Sequence, residues 1–173
     1  MKYLYQLFIC LVVMLFSLSC THEEIITTVN SENPLIGQWK ATEVNTINTL
    51  NIYYNGVFMD KQIAYGEGID LSLYFDIEEN PNDLISSGSY GIDYSSDNEN
   101  YTIKGIHLFN AALWQMNGDS LIVRSGDQWI AFFVEELNSN SMKLTVDEDL
   151  HTVRWGYDYF ENAKVNYTFT KIK

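Results

Sequence analysis

After Pro34 the apolar residues of this chain recur at every second position, a period that admits strands and excludes helices. Leu71, Leu73, Phe75 and Ile77 alternate with Ser72, Tyr74, Asp76 and Glu78, which reads as a strand with one buried face. Tyr90, Ile92 and Tyr94 alternate with Gly91 and Asp93 in the same way. Met142, Leu144 and Val146 alternate with Lys143, Thr145 and Asp147, and Val165, Tyr167 and Phe169 alternate with Asn166, Thr168 and Thr170. Turn chemistry falls between such runs. Asn55-Gly56, Asn117-Gly118 and Gly126-Asp127 are hairpin signals, because the two-residue turns that match strand twist need positive φ. Asn80-Pro81-Asn82-Asp83 and Asn138-Ser139-Asn140-Ser141 are further loops.

The fold class implied is all-β, a single antiparallel meander. A meander of roughly eight to ten strands has two edges to dispose of, and closing into a barrel removes both. Aromatic residues make up 14% of the chain. That weight suits a barrel interior better than the thin core of a β-sandwich, the alternative with the same periodicity.

Ahead of this domain the order of parts changes. Lys2 precedes the apolar run Leu7 to Phe16, which is followed by Ser17, Ser19 and Cys20. That is the order of a signal peptide, and the run is about half the roughly 20 apolar residues that a membrane-spanning helix needs. Ser17-Leu18-Ser19-Cys20 resembles a bacterial lipobox, with Ser17 and Leu18 in exchanged places. The organisation expected is therefore a lipoprotein signal peptide over 1–19, a flexible acidic tether over 20–33 and the β-domain over 34–173. Cys20 is the lipidation site; an ordinary signal-peptidase cut near Ser19 is the alternative. Glu23-Glu24 in the tether resembles in charge the surface-export signal of some Gram-negative lipoproteins.

Charge and cysteine usage narrow the rest. The formal net charge is −13, so phosphate backbones and anionic headgroups are repelled and nucleic acid is excluded as a partner. The chain has 2 cysteines, Cys10 within the signal segment and Cys20 at its end. The mature domain thus has no pair for an internal disulfide, and packing must hold it together.

Leu35-Ile36-Gly37-Gln38-Trp39 opens the domain with Gly, one residue, then Trp. With the segments "EENPNDLISSGSY" ending at Tyr90, "LWQMNGDSLIV" from Leu113 to Val123, "VEELNSNSMKL" from Val134 to Leu144 and "YTFTK" from Tyr167 to Lys171, it is similar to the lipocalin-like lipoproteins of Gram-negative bacteria. The resemblance covers nearly all of the mature domain. It implies a lipocalin-like barrel, a lipid anchor at the outer membrane on its periplasmic or cell-surface face, and no assigned activity. It also implies that Trp39 closes one end of the barrel beneath an Arg from a late strand, where this chain's last strand offers only Lys164, Lys171 and Lys173, with Arg154 lying before it.

Motifs for chemistry are absent. His22, His107 and His151 are not at metal-ligand spacing, no Gly-x-Ser-x-Gly elbow or phosphate-cradling glycine run occurs, and the acidic run Asp93 to Glu99 lacks the glycine and terminal glutamate of an EF-hand. No enzyme, cofactor or metal site is read. The expected function is binding of a small apolar or amphipathic ligand, with Trp39, Tyr90, Trp114, Trp129 and Phe169 on successive strands as candidate lining. The alternative is a surface interaction or scaffold lipoprotein. Its barrel would support a protein- or glycan-binding aromatic hairpin carrying Tyr53, Tyr54, Phe58 and Tyr65, with an outer-membrane protein as one class of partner. Tyr157, Tyr159 and Phe160 form a further aromatic group before the last strand.

Overall fold

A computed structural model of the chain describes residues 33 to 97 and 99 to 173. The signal segment 1–19, the lipidation site Cys20 and all but the last residue of the tether 20–33 lie outside the described residues. Every regular element among the described residues is a strand. In chain order they are β1 (Gly37–Tyr54), β2 (Val57–Ile69), β3 (Tyr74–Ile77), β4 (Asp83–Ser87), β5 (Tyr90–Ser96), β6 (Asn100–Ile106), β7 (Ala111–Asn117), β8 (Ser120–Ser125), β9 (Gln128–Leu137), β10 (Ser141–Arg154) and β11 (Tyr157–Lys171).

All pairings are antiparallel, and eight strands close a ring in the order β1, β3, β4, β7, β8, β9, β10, β11 and back to β1. The all-β barrel read from the alternation is thus the architecture. Its path is richer than a run of nearest-neighbour hairpins, because β2, β5 and β6 leave the ring as a branch. β1 makes this possible by changing partner along one edge. Gly37 to Lys40 pair with β3, and Asn45 to Tyr54 pair with β2. The other edge of β1 stays on β11 throughout, from Trp39 opposite Lys171 to Tyr54 opposite Tyr157.

The turn residues do what their chemistry requires. Asn55 and Gly56 take φ of 48° and 79° between β1 and β2, the two consecutive positive values of the tightest hairpin turn. Gly118 and Gly126 supply positive φ for the next two hairpins named above. Between β9 and β10 the side-chain oxygen of Asn138 accepts from the backbone N–H groups of Asn140 and Ser141. The alternating stretch from Leu71 to Glu78 starts as a loop: its strand begins at Tyr74, and the Leu73 carbonyl accepts from the Ala41 N–H at 2.9 Å.

The barrel interior is filled. Trp39, Phe75, Phe132 and Phe169 are fully buried with Leu84, Leu121, Met142 and Leu144. Phe75 stacks on Phe169 at 4.7 Å and meets the edge of Phe132 at 6.2 Å. Trp39 donates its indole N–H to the Leu35 carbonyl at 2.8 Å, and the Lys171 ammonium lies 5.2 Å from its ring centre.

Candidate functional site

Three barrel strands outrun the barrel. β9 pairs with β10 only from Met142 to Thr145, and β3 leaves β1 after Lys40, whereas β10, β11 and β1 continue in register to their tips. With β2 alongside, they form a four-stranded ribbon that ends in two adjacent hairpin turns, Asn55-Gly56 and Trp155-Gly156. The Asn55 N–H donates to the Gly156 carbonyl at 3.4 Å and ties the turns together.

Both faces of the ribbon carry aromatic rings. On the outer face Tyr53 meets Phe58 and Phe160 edge-on, each at 5.5 Å. His151 stacks flat on Phe160 at 4.2 Å, and its Nε2 lies 2.9 Å from an Asp158 carboxylate oxygen. The other face is continuous with the barrel interior, because Val44 and Thr46 are buried and every second residue beyond them shares their side. There Tyr54 packs on Tyr157 at 4.7 Å. Leu50 and Leu150 flank Glu161 in one cross-strand row, and Ile52 and Thr152 flank Tyr159 in the next. Leu50, Leu150, Thr152, Tyr159 and Glu161, with Arg154 and Trp155, line an open cleft of about 370 Å³.

Trp155 stands out within it. Its φ is 52°, in the left-handed region that bulky side chains avoid, and its side chain is 91% exposed. The guanidinium of Arg154, the hydroxyls of Thr152 and Tyr159 and the carboxylate of Glu161 make no hydrogen bond or ion pair among the described residues. Four polar groups of complementary donor and acceptor character thus line the cleft without a hydrogen-bond or ion-pair partner among the described residues.

The aromatic residues expected to line an interior pocket divide. Trp39 and Phe169 sit in the packed centre. Tyr90 is buried on the branch, its hydroxyl 2.9 Å from that of Tyr167. Trp114 is buried with its indole N–H donating to the Glu78 carbonyl at 2.8 Å. Trp129 does not join them. Phe132 fixes the inward phase of β9, so Trp129 faces out beside Arg124 and Leu113, 68% exposed. Of the residues read as a surface hairpin, Tyr53 and Phe58 meet on the outer face of the ribbon tip and Tyr54 lies on the other face. Tyr65 lies apart, in a second open cleft of about 530 Å³ with Glu67, Asp93, Asn100 and Tyr101.

Thr152, Arg154, Trp155 and Glu161 are not among the site residues expected from the sequence. The signal available was Gly156 between two alternating runs, which marks a turn. Among the described residues no group of three or more His, Cys, Asp or Glu side chains could hold a metal ion. No helix there is long and apolar enough to cross a membrane. No family model, no curated protein and no solved structure matches the chain.

Proposed function

We propose that this chain is a lipid-anchored, non-catalytic lipoprotein of the outer membrane whose barrel supports an aromatic ribbon as its contact surface. The observation that carries the proposal is a division of labour within the described residues. Phe75, Phe132 and Phe169 fill the barrel, while Val57, Phe58, Met59, Leu150, Val153 and Trp155 stand exposed near the ribbon tip, divided between its two faces. Exposed large apolar groups gathered in one place mark contact surfaces, whereas single scattered ones do not. A filled interior weighs against a small ligand held inside the barrel and favours the outer surface. The apolar run ahead of Cys20 supports the anchor, since a thioether-linked diacylglyceryl group would hold the domain at a membrane.

Photo-crosslinking in intact cells tests the ribbon. A benzophenone side chain at Phe58 or Val153 should form adducts, and the same group at Ile85 or Gln115 on the barrel wall should not. Adducts from the wall alone, or none from the ribbon, would overturn the proposal. The anchor is tested separately by Cys20→Ser, which should release the folded domain from the membrane fraction or leave it as precursor. A Cys20→Ser chain that is cut, carries fatty acid and still sediments with the outer membrane would remove the lipoprotein reading.

A further inference from the structure

We infer that the cleft between Trp155 and Glu161 is a glycan subsite that takes a neutral pyranose unit; this rests on the ribbon's being the contact surface. The shape suits it. At about 370 Å³ the cleft lies toward the small end of ligand pockets, about 300–1,000 Å³, and it is open on one side. Beyond Thr145 the outer edge of β10 has no strand partner among the described residues, so a chain of sugar units can continue past the site.

The chemistry narrows the ligand. A pyranose has an apolar face of axial C–H groups and a rim of equatorial hydroxyls. The C–H face carries slight positive charge and packs on an aromatic face, which is negative. Trp155 supplies such a face with no ring contact of its own within the fold, and Leu50 and Leu150 supply an apolar floor. Hydroxyls need donors and acceptors side by side. Arg154 only donates, Glu161 only accepts, and Thr152 and Tyr159 do both, so adjacent hydroxyls can be bound as a pair.

Charge decides between neutral and acidic sugars. Arg154 and Glu161 cancel within the cleft, and the chain around it carries a formal −13. A uronate would gain one contact with Arg154 and face Glu161 and the surrounding negative field. A neutral ring gains both contacts without that repulsion.

The backbone adds an independent reason. A bulky residue at φ 52° is strained, and Asn or Gly would hold this turn more easily. Nothing in the packing compensates, since the ring is almost wholly in solvent. Strain kept for an unpacked ring points to a use for the ring outside the fold.

Titrating the full chain with maltohexaose, cellohexaose, xylohexaose and mannohexaose, and with oligogalacturonate as the anionic comparison, tests the inference by calorimetry and tryptophan fluorescence. At least one neutral hexasaccharide should bind. Trp155→Asn keeps a residue that tolerates the turn, removes the ring, and should weaken binding about tenfold or more. Arg154→Gln and Glu161→Gln should each weaken it as well, and Ile85→Thr on the barrel wall should leave it unchanged. Three results would overturn the subsite: no neutral hexasaccharide bound at about 10 mM, binding of oligogalacturonate alone, or neutral binding that Trp155→Asn leaves intact. Ribbon crosslinks that persist in such a case would reject the sugar and keep the contact surface. Loss of the crosslinks would reject both.

Discussion

The hydroxyl oxygens of Tyr90 on β5 and Tyr167 on β11 lie 2.9 Å apart, and this buried contact joins the branch to the inner face of the barrel strands. Both residues are almost fully buried, and their rings meet edge-on at 6.0 Å. Removing one hydroxyl leaves the other in an apolar setting without its partner, which costs about 1–3 kcal/mol, whereas removing both costs far less than the sum. Denaturant unfolding of Tyr90→Phe, Tyr167→Phe and the double variant should therefore show clear losses for each single change and a strong favourable coupling in the double. Additive losses would mean that the hydroxyls do not bond.

The same pair should weaken the fold at alkaline pH. Burial holds the Tyr90 phenol above its ordinary value, against a smaller lowering by its bond to Tyr167, and burial raises Tyr167 further, with Tyr90 beside it adding to the shift. A folded-state pKa raised above the unfolded value gives stability that is whole below the unfolded pKa and lost as pH climbs beyond it. The unfolded chain ionises near 10.0. Stability should hold up to that pH and fall above it, and tyrosinate absorbance should show these two phenols ionising only as the domain unfolds. In the double phenylalanine variant the alkaline midpoint should move up relative to its neutral stability.

Trp39 is fully buried, between the Leu35 carbonyl and the Lys171 ammonium. Trp39→Ala should cost about 3–5 kcal/mol in denaturant unfolding, because a packed core cannot collapse onto so large a void. Lys171→Met keeps the stem and removes the charge, so its cost should be near 0.5–1 kcal/mol. A loss under about 1 kcal/mol for Trp39→Ala would place the ring outside the core.

Local pattern made some of this legible and tertiary contact the rest. Met142, Leu144, Tyr167 and Phe169 are buried as their alternation requires, and Asn55-Gly56 turns as its residue types require. The branch could not be read in that way. β2 pairs with β5, which is distant in sequence, and the approach is set by Gly66, where a Cβ would come within 2.5 Å of both Ile92 and Thr46. A glycine inside an alternating run signals a close approach without saying to what. Tyr65 sits near Tyr53 and Tyr54 in the sequence, yet pairing with β1 sets it opposite Ile47, well down the ribbon from their turn. The cleft escaped notice because Leu150, Thr152 and Arg154 look like one more half-exposed strand, and Trp155 is a strand-forming residue in a turn position that favours Gly or Asn.

That mismatch at Trp155 yields an opposed pair of effects. If the ring is kept for a ligand, the turn is less stable than it could be, and a residue suited to positive φ should relieve it. Asn tolerates the left-handed region and still leaves Gly156 to complete the turn at φ 82°. Trp155→Asn should therefore raise the domain's stability by about 0.5–1 kcal/mol in denaturant unfolding, with the slope of the transition unchanged. Because the side chain is 91% exposed, little packing is lost to offset the gain. A stabilised Trp155→Asn chain that has lost its binding would separate the demands of the ligand from those of the fold. A loss of more than about 1 kcal/mol would instead assign the ring a structural role at the tip and remove the strain as a reason for the site.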